Sequence, residues 1–288
     1  MPSIRRRWRL RDVVVAGPWL AALASGCSFL ADLDFQSGDV VSGPLPDGGD
    51  AKPPTDGAKP PDGDPYAQAV LADQPSAYWR FGETSGTTAN DEMDAYPGVY
   101  ERGFTLGAPG IVAGNRAVHL DGQIGTRIVI GDALDCRSRG PCTLEAWVKW
   151  EGSSRGYIMS KNGEATGNGY ELFTYSPDTN SVQWFYSRVT SGSSTAVTYT
   201  TPATRDYVYI VATFEGFEGT VGRLYLDGNE VANTTFGDSR VGSNATLVLG
   251  GNSADSGAFQ GTLDEVAIYD RVLSPDRIRA HYLAATSK

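Results

Sequence analysis

Short segments that alternate apolar and polar residues, each closed by a turn signal, run through the chain from about Pro65 onward. A period of two places every second side chain on one face of a strand, so the pattern predicts antiparallel sheet. In "TLEAWVKW" (143–150), Leu144, Ala146 and Val148 alternate with Glu145, Trp147 and Lys149. "GYELFTY" and "VQWFYSRV" follow, joined by the hairpin loop "SPDTNS". "DYVYIVATFE" is β-branched and aromatic throughout, as expected of a strand buried on both faces. "GRLYLDGNEVAN" reads as strand, Asp-Gly turn, strand, and "ATLVLGG" and "GTLDEVAIYD" complete the set. Ten to fourteen strands with little helix predict an all-β, two-sheet antiparallel sandwich of the jelly-roll kind. A short C-terminal helix is expected in "LSPDRIRAHYLAA". Ser274 is its cap, Pro275 its first residue and Asp276 sits at its positive end, with Leu273, Ile278 and Tyr282 pinning it to the sandwich.

The segment before this domain has a different chemistry. Arg5, Arg6, Arg7, Arg9 and Arg11 precede the apolar "VVVAGPWLAALASG", which is too short and too broken by Gly17 and Pro18 to span a bilayer. Residues 1–26 therefore read as an export signal. "LASGC" resembles the lipobox of bacterial lipoproteins, which implies a lipid on Cys27 and anchoring to the cell envelope, at the outer membrane or cell surface. The alternative is a soluble secreted protein cleaved near Ala24. Residues 27–64 include "GPLPDGGDAKPPTDGAKPPDGD", which cannot bury enough apolar surface to fold and reads as an extended acidic tether. The folded domain is expected over 65–288. A formal net charge of −10 argues against a nucleic-acid partner. Cys136 and Cys142 in "DCRSRGPC" are expected to form a disulfide, since no further cysteine or nearby histidine could complete a zinc site.

Five segments carry a family likeness: "AYWRFGETSGTTANDEM", "LDG", "TLEAWVKW", "LYLDGNEV" and "GTLDEVAIYDRVLSPDRIRAHY". In order and content they resemble the laminin-G-like, concanavalin A-like jelly-roll domains, over nearly all of residues 66–285. The resemblance implies two sheets, often a bound calcium, and binding of carbohydrate or protein; some relatives are glucanases. It implies Asp91 and Asp264 as ligands of a structural Ca2+, the alternative being that both accept backbone amides. Glu265 is expected to face solvent, and Asp270 to serve the turn before the helix.

Catalysis finds little support in the residues. Glucanase relatives carry alternate acids on one strand, whereas here Glu145 and Glu151 are separated by Trp147 and Lys149 on the same face. Asp264 and Glu265 are neighbours and would point to opposite faces of a strand. "GSSRG" (152–156) matches the nucleophile-elbow spacing, but a strand rather than a helix follows it. His119 and His281 lie apart, in a strand and in the terminal helix. For binding, Trp147, Trp184 and Tyr186 are interleaved with Glu145, Lys149 and Arg188, a combination that can stack a sugar ring and bond its hydroxyls. Trp147 is the most exposed of these by expectation; the alternative is that the rings fill the space between the sheets. The expected function is a non-catalytic envelope binding or adhesion module for glycans or surface partners. A structural envelope protein, or a divergent glycan hydrolase, are the alternatives.

Overall fold

The computed structural model describes residues 63–287, apart from 137–139, 164–167, 191–192, 217–220 and 238–242. The export signal, Cys27 and most of the tether lie outside the described residues. Helix α1 (Pro65–Ala72) is the first element among the described residues. The chain then runs through β1 (Ala77–Trp79), β2 (Thr88–Ala89), β3 (Gly98–Glu101), β4 (Phe104–Pro109), β5 (Arg116–Asp121), β6 (Arg127–Gly131) and β7 (Cys142–Trp150). Next come β8 (Arg155–Gly163), β9 (Asn168–Asp178), β10 (Ser181–Thr190), β11 (Ser193–Pro202), β12 (Val208–Phe214), β13 (Val221–Leu226) and β14 (Asn229–Thr235). Strands β15 (Leu247–Leu249) and β16 (Gln260–Tyr269) and helix α2 (Pro275–Thr286) close the fold. Sixteen strands among the described residues exceed the expected ten to fourteen, because β1, β2, β3 and β15 are too short to show a period.

Every strand pairing among the described residues is antiparallel. One sheet has the order β14-β13-β12-β7-β16-β5-β4, with β1 also on β16; the other is β11-β10-β9-β8-β15-β6-β3-β2. The inner faces meet in one core that includes Leu144, Ala146 and Val148 of β7 and Trp184 and Tyr186 of β10. A second apolar cluster lies on the outer face of the first sheet. There Trp147, Tyr209, Val211 and Tyr269 meet Tyr66, Ala67 and Val70 of α1 and Ile278 of α2.

Helix α2 starts as its sequence dictates, with Ser274 Oγ accepting the Arg277 amide at 3.3 Å. Helix α1 was hidden behind the tether's composition. Asp64, assigned to the tether, is its N-cap, accepting the Tyr66 and Ala67 amides at 3.0 and 3.2 Å, with Pro65 first in the helix. Cys136 and Cys142 form the expected disulfide at the start of β7. "GSSRG" leads into β8, a strand, so it is not a nucleophile elbow.

Candidate functional site

The aromatic face expected from Trp147, Trp184 and Tyr186 does not exist as a surface, since each ring is 1% exposed. Residues on β7 alternate as expected, but the outward side of that strand is roofed by the helices. Trp147 stacks on Tyr282 of α2 at 5.8 Å and lies 4.9 Å from the Tyr209 ring. Trp184 and Tyr186 belong to the other sheet and point into the inter-sheet core, where Trp184 Nε1 donates to Thr201 Oγ1 at 2.9 Å. Arg188 is buried with its guanidinium 4.2 Å over the Phe214 ring. Lys149 is half-buried beside Thr262.

Glu145, expected on the sugar-binding face, is wholly buried. Its Oε1 accepts the hydroxyls of Tyr66 (2.7 Å) and Tyr209 (2.8 Å), and its Oε2 accepts Tyr269 (2.8 Å). His281 Nδ1 lies 3.1 Å from Glu145, while its Nε2 faces Asp73 Oδ2 at 3.0 Å and the Ala69 carbonyl at 3.1 Å. Both ring nitrogens therefore face acceptors only, which requires the doubly protonated imidazolium. Burial alone would lower the His281 pKa, but Glu145 and then Asp73 outweigh it and hold it above its ordinary value. Burial likewise pushes Glu145 up, yet His281 and the tyrosine hydroxyls hold it below the usual carboxylate range. This is a clasp that joins both helices to the sheet.

Asp91 and Asp264 follow the backbone-amide alternative. Asp91 Oδ1 accepts the Tyr78 (2.8 Å) and Met93 (3.1 Å) amides, and Oδ2 accepts those of Ala95 (3.1 Å) and Tyr96 (2.8 Å). Two donors on each oxygen occupy the carboxylate's in-plane lone pairs, so Asp91 does not fit as a calcium ligand. Asp264 accepts the Ile111 amide at 2.7 Å and Asn115 Nδ2 at 3.3 Å. Glu265 is buried, which corrects its expected solvent position. A register shift between Asp264 and Ala267, with Glu265 at φ 51°, makes a bulge that turns both acids to the outer face. There Glu265 accepts from the Tyr78 hydroxyl, Arg80 and Asn115, and Arg80 also pairs with Asp64. Burial raises both carboxyls, Asp264 further through the neighbouring Glu265, and Arg80 opposes the rise at Glu265.

The outer face of the second sheet carries aromatic and polar side chains, among which Arg155 and Tyr175 are exposed. Leu172 of β9 and Trp184 and Tyr186 of β10 point inward, so Glu171, Phe173, Tyr175, Gln183, Phe185 and Ser187 point outward. Cross-strand register lines these up in rows. Tyr157, Phe173 and Phe185 are successive partners across β8, β9 and β10. The rings of Phe173 and Phe185 stack at 4.5 Å and 4°, and Tyr157 lies 5.5 Å from Phe173; Tyr157 and Phe173 are buried, and Phe185 is half-buried. On one side runs Arg155–Tyr175–Gln183, in which Tyr175 is 40% exposed. On the other runs Ser160–Glu171–Ser187.

Glu171 accepts Asn162 Nδ2 at 3.1 Å, and burial raises its pKa against the opposing pull of Asn162 and Arg155. Ser160 Oγ and Asn162 Oδ1 are buried without a hydrogen-bond partner among the described residues. The loop after β15 walls this area. Gly257 O accepts the Tyr157 amide at 3.0 Å, and Ser253 Oγ donates to Asn162 O at 3.2 Å. These residues stand in "GYELFTY" and "VQWFYSRV", but alternation alone does not tell which phase packs between the sheets, and the large Trp184 and Tyr186 take the inner one.

Among curated proteins, none matches this chain. Solved structures share the sandwich at low identity. The binding domain of botulinum neurotoxin DC in complex with SialylT is 10% identical, with a TM-score of 0.55 over 75% of this chain and 53% of that one. Trypanosoma rangeli sialidase in complex with sialic acid is 16% identical, with a TM-score of 0.52 over 72% of this chain and 32% of that one. Domain 4 of AbnA, an extracellular arabinanase from Geobacillus stearothermophilus, in complex with arabinotriose, is 20% identical, with a TM-score of 0.50 over 72% and 98%. The chain thus spans about half of the neurotoxin domain and about a third of the sialidase, and at these identities the likeness is one of fold. The family model for the concanavalin A-like lectin/glucanases superfamily, of laminin-G-like type, matches residues 121–279, the stretch from the end of β5 to within α2. With two antiparallel sheets packed over that stretch and a match covering more than half of its length, the chain belongs to the concanavalin A-like lectin/glucanases superfamily.

Proposed function

We propose that this protein is a non-catalytic glycan-binding module and that the outer face of β8, β9 and β10 is its binding surface. One observation carries the reading: on the outer face of β8, β9 and β10 the exposed Tyr175 stands between its cross-strand partners, the exposed Arg155 and the half-buried Gln183, beside a row of aromatic rings in which Tyr157 and Phe173 are buried and Phe185 half-buried. Aromatic bodies beside convergent polar groups suit sugars, which have an apolar ring face and a polar rim. Phe173 and Phe185 spend one face on each other, so the exposed Tyr175 is the ring open to stacking. Glycans named with the structural neighbours support this class of ligand. Binding rather than hydrolysis is supported by the acid content of these rows. Among their described residues Glu171 is the only carboxylate, and glycoside hydrolysis generally needs two. A lipid on Cys27 and the Pro/Gly/Asp tether would hold this face away from the envelope membrane.

A glycan array probed with the full chain, followed by calorimetry on its best ligand, tests the reading. Tyr175→Ala should lower affinity by about tenfold or more, equivalent to ~1.4 kcal/mol, with little change in melting temperature. Unchanged affinity in that variant would move the site elsewhere.

A further inference from the structure

Arg155 gives the face a preference. Its guanidinium carbon lies 4.9 Å from the centre of the Phe173 ring and 5.9 Å from that of Tyr157, and Nη1 donates to the Tyr157 hydroxyl at 3.3 Å. Two rings and a hydroxyl therefore brace an exposed side chain that would otherwise sample many rotamers. Arg80, Arg127, Arg223 and Arg277 have carboxylate partners, whereas Arg155, like Arg188 and Arg271, is held against aromatic rings instead. Arg155 has no carboxylate within ion-pair distance among the described residues, in a chain with 34 acidic residues against 24 basic ones. An arginine held in place but left without an anion can complete its pairing from outside.

The bracing leaves Nε and Nη2, the edge of the guanidinium that meets a carboxylate through two parallel N–H···O bonds. Arg155 is the cross-strand partner of Tyr175, and Tyr175 of Gln183. A ring stacked on Tyr175 would have its substituents beside that edge. The face's own acid, Glu171, is buried and bonded to Asn162, so it offers little repulsion to an incoming anion.

Resting on the glycan-binding reading above, we infer that this face selects acidic sugars, with Arg155 holding the sugar carboxylate and Tyr175 lying under its ring. Uronic and sialic acids share that carboxylate, and the test separates them. The full chain is titrated with two matched pairs: sialyllactose against lactose, and an oligogalacturonate against its methyl ester. The acidic member of at least one pair should bind about tenfold tighter or better, and added salt should weaken it selectively. Arg155→Gln should abolish the preference, so that within the variant the acidic and neutral members of the pair bind with equal affinity. Arg155→Lys should keep the charge attraction but lose the two-bond part of the preference. Equal binding within both pairs, or binding confined to neutral sugars, overturns the inference and leaves the glycan reading standing. A preference that survives Arg155→Gln overturns the assignment of Arg155. Failure to bind any sugar, acidic or neutral, across a broad array overturns both.

Discussion

At the scale of single residues, the molecule holds its charges where few sequences would advertise them. His281, fully buried between Glu145 and Asp73, is a cation needed by two anions. Removing one member of such a group leaves a buried charge uncompensated, typically at about 3–5 kcal/mol. The pH dependence follows from the direction of the shift. His281 is raised in the folded protein, so the folded state binds its proton more tightly than the unfolded state does. Its contribution is complete below the ordinary histidine value near 6.5 and is lost as pH rises through the higher folded value. Arg277, which also pairs with Asp73, opposes the protonation, while the tyrosines on Glu145 stay neutral because burial raises them. Thermal melts from pH 6 to pH 9 should therefore fall as pH rises, with buried Asp264 and Glu265, also raised, adding in the same direction. His281→Gln should melt lower at pH 6 and show a shallower decline. An identical slope in the variant would refute the assigned protonation state.

Among elements, the helices matter more than their small number suggests. Leu144, Ala146 and Val148 face the other sheet, but Trp147 and Glu145 need a second cover, which α1 and α2 provide together. Ile278 of α2 is wholly buried in that layer, so Ile278→Ala should cost about 2–4 kcal/mol in denaturant unfolding. The loss should come mainly from contacts with the sheet, as the substitution itself favours helix. A change under about 0.5 kcal/mol, the range of ordinary surface substitutions, would mean that α2 does not pack as described. The bulge in β16 is the other decisive element. It places one more side chain on the outer face than strict alternation allows, and so brings Asp264 and Glu265 together at Arg80, Asn115 and the Ile111 amide.

For the molecule as a whole, the proposed function adds a lipid on Cys27 to the sandwich. The anchor makes its own prediction: Cys27→Ser should move the protein from the detergent phase to the aqueous phase, whereas a wild-type protein already in the aqueous phase would exclude lipid attachment. Sequence alone determined the sandwich class, the disulfide pair, the start of α2 and the alternation along β7, β9 and β10. All of these are written in local periodicity, turn residues, caps and cysteine spacing. It did not determine which side of a strand meets solvent. Trp147 and Tyr175 each sit on an outward face, and nothing within eight residues of either says that helices roof the first while the second stays exposed. Nor could it show Glu265 as buried, since strict alternation assigns neighbouring residues opposite faces and a bulge breaks that rule. Covering a face is a long-range event: the residues that bury Trp147 lie at both ends of the folded domain, in α1 and α2, and only tertiary packing brings them together.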